Sequence, residues 1–138
     1  MSVEPSAAKV GSAFAAWPWP EELDALTAAP HHHQLVMEND RVRVLVTRIP
    51  AGETTAVHTH RWPAVSHLVS WSDFIRRDAE GRVLLDTRGR PPPASLPQIS
   101  WLEALPPHSL ENVGPNELHV VSIELKDAEP WKTQAKNR

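Results

Sequence analysis

Apolar and polar positions alternate along much of the chain with a period of two. In "RVRVLVTRI", Val42, Val44 and Val46 alternate with Arg41, Arg43 and Leu45, which is typical of a strand with one face buried. Strands of this kind are also predicted in "TTAVHTH", "VSHLVSW", "DFIRRD", "RVLLDT", "ISWLEAL" and "LHVVSIELK". Turn signals separate these segments every ten residues or so, and "AEGR" in particular predicts a hairpin turn. The pattern indicates an all-β sandwich or barrel formed by residues 34–126.

Residues 1–33 predict an N-terminal extension that contains the one plausible helix of the chain. In "WPWPEELDALTAAP", Pro20 suits a first helical turn and the acidic residues after it complement the positive helix end. The three histidines at 31–33 follow the helix, and we interpret them as a polar loop in preference to a set of ligands. Residues 127–138 predict a polar tail.

Composition narrows the possible functions. The chain has 138 residues, a formal net charge of −3 and no basic run, which argues against nucleic acid or a membrane surface as partner. It has 14 prolines against 5 glycines, which favours short strands over helices. It lacks cysteine, so a metal would be held by nitrogen and oxygen ligands. Neither a signal peptide nor a membrane span is recognised, and we expect a cytoplasmic protein.

His58 and His60 are the first indication of chemistry. On a strand, residues two apart project from the same face, so both imidazoles are placed to share one ion. The pair alone is weak evidence, because two surface or hydrogen-bonded histidines would give the same spacing.

The surrounding residues strengthen the metal interpretation. "GETTAVHTH" fits G-(x)5-H-x-H through Gly52, His58 and His60, and "HSLEN" fits H-(x)3-N through His108 and Asn112. Over residues 35–126 the chain resembles the cupin superfamily, and within it the small single-domain cupins. The resemblance implies a jelly-roll β-barrel that holds one divalent transition metal ion (Fe, Zn, Ni, Mn, Cu or Co) through His58, His60 and His108. By the same resemblance, we expect a homodimer.

The carboxylate of the first cupin motif is absent, since its place falls at Ala64 or Val65. A site of three neutral imidazoles leaves a divalent ion with its full positive charge, which favours an anionic or chelating ligand. His67 or His119 is a candidate for an additional ligand or a pocket residue, and Glu111 and Glu124 remain further candidates. The parity of "LHVVSIEL" is open, because either His119, Val121 and Ile123 or Leu118, Val120 and Ser122 point inward.

Aromatic residues near the candidate ligands predict the lining of a small-molecule pocket. We expect this lining to include Trp62, Trp71, Trp101 and Asn112, although the tryptophans would equally suit a core or an interface and the asparagine a turn. One of Arg76 and Arg77 is placed to meet an anionic substrate, since consecutive strand residues face opposite sides.

Three functions remain open at this stage. The first is a metal-dependent enzyme, such as a dioxygenase, isomerase or lyase, that acts on a small chelating or anionic substrate and whose catalytic residues are unknown. The second is a non-catalytic module that binds a metal or small molecule as a sensor or store. The third is a metal-free isomerase of the sugar-epimerase type, which the absence of tyrosine disfavours.

Overall fold

The computed structural model describes residues 16–128 and folds them into two antiparallel sheets. Residues 1–15 of the predicted extension and residues 129–138 of the predicted tail lie outside the described part. Within it, the strands are β1 (His33–Glu38), β2 (Val42–Ile49), β3 (His58–His60), β4 (Ala64–Ser70), β5 (Phe74–Asp78), β6 (Val83–Asp86), β7 (Gln98–Leu102), β8 (Leu105–Asn112) and β9 (Leu118–Leu125).

The two sheets face each other across a central cavity. One sheet has the strand order β1-β2-β9-β4-β7, and the other has the order β3-β8-β5-β6. The sheets are not joined into a continuous hydrogen-bonded barrel, although both contribute side chains to the same interior. The predicted all-β class is confirmed, and its barrel takes the form of two facing, unclosed sheets.

Strand pairing decides which side chains reach the interior. In β9, Leu118, Val120, Ser122 and Glu124 point into the cavity, which resolves the parity that the sequence left open. In β4, Ala64, Ser66 and Leu68 point inward, and Leu45 and Ile49 of β2 are fully buried. The interior is thus bounded by alternate residues of each strand, as the period-two pattern predicts.

The N-terminal segment is tied to the sheets by a buried ion pair. A 3₁₀ turn (Glu21–Leu23) leads into a single turn of α-helix, α1 (Ala25–Ala28), whose N-cap Asp24 accepts a hydrogen bond from the Leu26 amide at 3.1 Å. Both oxygens of Asp24 also accept from the guanidinium of Arg43, at 2.8 and 2.9 Å. The helical part of the predicted extension is therefore short, and β1 begins at His33. None of the helices in residues 16–128 has the length and apolar character needed to cross a membrane.

Candidate metal centre

Four histidines meet at one end of the cavity. His58 and His60 come from β3, and His108 of β8 pairs directly with His58 across the strand ladder. Their ring centroids lie 4.4 Å apart for His58 and His108, and 5.7 Å apart for His60 and His108. The structure therefore brings together the three histidines that the motifs single out.

The fourth histidine, His33, comes from the opposite sheet. It begins β1, and its ring centroid lies 4.5 Å from that of His58 and 5.3 Å from that of His60. One ligating nitrogen from each of His33, His58 and His60 lies within 4.8 Å of the other two, which makes this the most compact part of the cluster. The interpretation of residues 31–33 as a simple polar loop is therefore wrong for His33.

The hydrogen bonds of the four imidazoles leave one nitrogen of each ring available. The Nδ1–H groups of His33, His58 and His108 donate to the backbone carbonyls of Ala29, Ala56 and Pro106, at 2.9, 2.7 and 2.7 Å. His60 Nδ1 donates to the Glu124 carboxylate at 3.1 Å. Carbonyl oxygens only accept, so these bonds place the proton on Nδ1 and leave the lone pair on Nε2. No hydrogen bond within residues 16–128 engages these four Nε2 atoms.

Burial keeps three of the four imidazoles, those of His33, His58 and His108, uncharged at neutral pH. Desolvation, together with the neighbouring His60, lowers the pKa of His33 to about 4 and that of His108 to about 3. The pKa of His58 is also strongly lowered, first by desolvation and then by the adjacent histidines. Neutral imidazoles need not release a proton before binding a cation. The donor set therefore fits a divalent transition metal ion.

Glu124 lies behind the cluster as a hydrogen-bond acceptor. Its side chain is 1% exposed, and its second oxygen accepts from Arg43 Nε at 2.7 Å. Arg43 in turn holds Asp24 and lies 5.0 Å from the Trp62 ring centroid. A histidine whose outer nitrogen is held by a carboxylate has a fixed ring orientation and a more basic inner nitrogen. Glu124 thus positions His60, and the Arg43 ion pairs position Glu124.

The other two histidines of the triplet form a second group on the outside of the same turn. His32 is buried and its Nε2 lies 2.8 Å from Glu53 Oε1, while the largely exposed His31 lies 3.6 Å from the same oxygen. These three side chains are also close enough together to hold an ion. Their contacts fix the turn that delivers His33 to the cavity.

Neither His67 nor His119 lines the cavity. Ser66 and Leu68 of β4 point inward, so His67 between them projects from the outer face, where it pairs with Val121. His119 lies between the inward-pointing Leu118 and Val120, on that same outer face. This register corrects the expectation that one of them lies in the pocket, and the additional imidazole beside the motif histidines is that of His33.

Of the two positions at which the carboxylate of the first cupin motif would fall, Ala64 lines the cavity and Val65 faces outward, so Ala64 takes its place. A methyl group offers no electron pair to a cation, so β4 contributes nothing to the cluster. The fourth donor of the cluster is supplied by β1 instead.

The predicted lining is correct for two tryptophans and wrong for two other residues. Trp62 and Trp71 border the cavity. Trp101 lies outside it and is half exposed, with its indole N–H donating to Glu103 at 2.9 Å. Asn112 is buried but serves the backbone: its amide donates to the carbonyls of Ile49 and Asn116, at 2.7 and 2.8 Å. It therefore secures the adjoining turns and does not itself line the pocket.

The cavity has a volume of about 210 Å³ and a mainly apolar wall. The apolar side chains that line it are Ile49, Trp62, Ala64, Leu68, Trp71, Phe74, Leu102, Leu105, Leu110, Leu118 and Val120. Of the lysines and arginines in residues 16–128, Arg76 is the one that lines the cavity. Arg77 is instead bound to Glu111 at 2.8 Å, so the inward arginine is the first of the two.

Comparisons with known proteins bear on the fold. No protein-family model and no curated protein matches the chain. Among solved structures, it is similar to a cupin domain from Bordetella pertussis Tohama I, with 22% identity and a TM-score of 0.51 over 68% of this chain and 91% of that one.

Two further solved structures are more distant. One is an uncharacterized conserved protein with a double-stranded β-helix domain from Klebsiella pneumoniae, at 20% identity and a TM-score of 0.45 over 72% of this chain and 75% of that one. The other is an RmlC-like cupin family protein from Methanocaldococcus jannaschii, at 9% identity and a TM-score of 0.46 over 77% and 84%. The two facing sheets of the described residues thus form a fold similar to that of the Bordetella cupin domain.

Proposed function

We propose that this protein binds one divalent transition metal ion per chain through His33, His58, His60 and His108. The observation that carries the proposal is the shared hydrogen-bonding pattern: each Nδ1 is held by an acceptor, so each Nε2 keeps its lone pair. Buried imidazoles without this purpose would usually have both nitrogens satisfied by protein groups. Iron, zinc, nickel, manganese, copper and cobalt all accept imidazole, so the donor set does not choose among them.

We further propose that the metal centre serves an enzyme, of the dioxygenase, isomerase or lyase class, that acts on a small anionic or chelating substrate. The four imidazoles would hold the ion, and an ion that accepts more than four ligands would have room for a substrate oxygen. The bound ion would act as a Lewis acid on a coordinated substrate oxygen. The residues of the chain would hold the substrate against the apolar wall and keep bulk water from the cluster.

A non-catalytic binding protein, acting as a sensor or store, is the second candidate. The observation that favours it is the number of histidines, because four nitrogen donors complete the tetrahedral shell that zinc adopts in structural sites. With such an ion, no position would remain for a substrate. The identity of the natural metal therefore separates the two functions.

The decisive experiment is elemental analysis of protein purified without added metal and again after reconstitution. We expect a single transition metal at close to one ion per chain, and a large loss of this metal in the variant His58→Ala, which removes the central imidazole. A chain that holds no metal after reconstitution would contradict the proposal. Electron paramagnetic resonance of the protein loaded with Co(II) or Cu(II) then distinguishes an open six-coordinate ion from a closed four-coordinate one.

We also propose that two copies associate through the outer face of the five-stranded sheet. Two cross-strand rows cover this face with mostly apolar side chains: Trp101, Val65, Ile123 and Val44 in one, and Ile99, His67, Val121 and Val46 in the other. Ile99 is 57% exposed and Trp101 50%. A contiguous apolar face of this kind is typical of an interface.

Light scattering coupled to size-exclusion chromatography tests this association. The variant Trp101→Glu should be monomeric, whereas Leu84→Glu, an equally exposed position on β6 of the other sheet, should remain a dimer. A wild-type protein that is monomeric at all concentrations would contradict the proposal.

A further inference from the structure

Arg76 is a cation in an apolar cavity, and no group of residues 16–128 forms a hydrogen bond or an ion pair with it. It lies on β5 and lines the interior, and its Nε is buried without a hydrogen bond. No hydrogen bond or ion pair within residues 16–128 engages the rest of its guanidinium. The Phe74 ring lies beside the guanidinium, with its centroid 5.8 Å from Cζ. Arg77, one residue on, has a full ion pair with Glu111.

The carboxylates that line the same cavity are already engaged. Glu124 accepts from Arg43 and His60, and Glu103 accepts from the Trp101 indole. The four histidines cannot neutralise Arg76 either, because they are themselves positive when protonated. Arginine keeps its charge even when burial lowers its pKa, as it does here. A charge left without a partner in such a place is costly, which points to a ligand of opposite sign.

The arginine and the metal cluster are close to each other along one ladder. Asp78 of β5 pairs with His108 of β8, and Arg76 pairs with Leu110. Two residues along an antiparallel strand correspond to about 7 Å. The positive charge of Arg76 also contributes to the lowered pKa of His108, as expected for neighbours in one cavity. A molecule of a few carbon atoms can therefore reach both groups at once.

We propose that Arg76 binds the carboxylate of a small ligand whose apolar body packs against Leu68, Trp71 and Phe74. This inference deepens the proposed function, since it names the substrate class for the cavity beside the metal centre. A planar carboxylate matches the guanidinium fork with two parallel hydrogen bonds. A phosphate dianion would require further donors, and the lining offers no second lysine or arginine. The volume of about 210 Å³ suits an aromatic or branched monocarboxylate.

The test uses metal-free protein, so that a carboxylate cannot bind through the ion. The probes are benzoate and its uncharged analogue benzamide, followed by calorimetry and by the fluorescence of Trp62 and Trp71, which border the cavity. Wild-type protein should bind benzoate about ten- to a hundredfold more tightly than benzamide, as charge-assisted hydrogen bonds predict. Equal affinity for the two probes, or no saturable binding of benzoate, would overturn the inference.

Two variants of neighbouring arginines localise the effect. Arg76→Gln should remove the preference for benzoate, whereas Arg77→Gln, on the same strand but facing outward, should retain it. Arg76→Lys keeps the charge but not the fork, and it should retain only part of the preference. If Arg76→Gln does not fold, the benzoate preference of Arg76→Lys still tests the inference. Unchanged benzoate affinity in both Arg76 variants would contradict the inference.

Zinc binding by Arg76→Gln separates this inference from the proposed function. Loss of benzoate preference with intact zinc affinity supports both. A chain that binds benzoate through Arg76 but no metal would overturn the metal centre and leave the carboxylate site standing.

Discussion

His33 and His58 lie with ring centroids 4.5 Å apart, although they belong to opposite sheets of the fold. The candidate metal centre therefore spans the two sheets, which the hydrogen bond from His60 to Glu124 also connects. An ion bound there would link β1 to β3 directly.

Removal of the metal should therefore destabilise the whole fold. A ligand that binds only the folded state adds about 2.7 kcal/mol of stability at a hundredfold excess over its dissociation constant. We expect the urea midpoint of the loaded protein to fall on treatment with a chelator and to recover on readdition of metal. The same midpoint with and without chelator would show that no ion bridges the sheets.

His33→Ala should weaken zinc binding by more than about 100-fold. Replacing a residue that only hydrogen-bonds a ligand typically costs about 10- to 100-fold, and the loss of a ligand should cost more. The matched control is His67→Ala, which removes an imidazole from the outer face of the same sheet and should bind zinc as the wild type does. Calorimetry with zinc measures both. If His33→Ala binds zinc normally while His108→Ala does not, the ligand set is limited to the three motif histidines.

Glu124→Gln should reduce zinc affinity by about 10- to 100-fold, because His60 loses the carboxylate that orients it. The same change removes a buried charged partner of Arg43, which keeps Asp24, and should lower the free energy of unfolding by about 1.5–3 kcal/mol. Glu117→Gln serves as the control, since that glutamate pairs with Arg48 at the surface and such pairs contribute at most about 1 kcal/mol. Unaltered zinc affinity in Glu124→Gln would exclude a positioning role.

Acid should weaken the attachment of the N-terminal segment through Asp24. Burial alone would raise the pKa of this carboxyl, but hydrogen bonds from Arg43 and the Arg43 charge outweigh it and leave the pKa lowered from 3.8. A lowered carboxyl pKa adds stability above the unfolded-state value, and that stability is lost as the pH falls through the folded-state value.

Urea unfolding at neutral pH and near pH 3 measures this effect. Wild-type protein should lose more stability in acid than Asp24→Asn does, because the variant has no carboxylate to protonate. Asp127→Asn, at an exposed pair with Arg41, should behave as the wild type. A wild type and an Asp24→Asn protein with the same acid dependence would contradict the assignment.

Gly114→Ala should destabilise the protein by about 1–3 kcal/mol, the range for overpacking. A Cβ at this position would overlap the Ser72 hydroxyl and lie 2.7 Å from the Asp73 amide nitrogen. The double variant Ser72→Gly with Gly114→Ala relieves only the first clash, so it should remain less stable than Ser72→Gly alone. Urea denaturation gives both differences, and equal stability of those two proteins would show that the backbone can move aside.

The fold and most of the motif-derived site could be predicted from local sequence. Alternation locates the strands β2 and β9 but does not say which face is buried, whereas the spacing of His58, His60 and His108 is a short-range signal that predicts their proximity. His33 could not be assigned, because its position depends on the pairing of β1 with β2 and on the turn fixed by His32 and Glu53. The signal available was three consecutive histidines at the start of a strand, of which one or two must face inward.

Strand parity explains the remaining differences. His67 and Trp101 are close in sequence to candidate ligands, but each lies one residue out of phase with the inward face. Proximity along a strand is a poor guide to a pocket, since adjacent residues face opposite ways. Asn112 lies in phase with His108, yet its side chain is taken up by carbonyls of neighbouring turns.

Arg43 joins the N-terminal segment to His60 through a rigid, planar group. Its five N–H donors are fixed in one plane. The Nε–H donates to Glu124, and the two terminal nitrogens donate to Asp24. A shift of α1 must therefore tilt the guanidinium, and a tilt of the guanidinium must move the carboxylate that orients His60. The position of the N-terminal segment and the orientation of the His60 ring on the other sheet are thus coupled through Arg43.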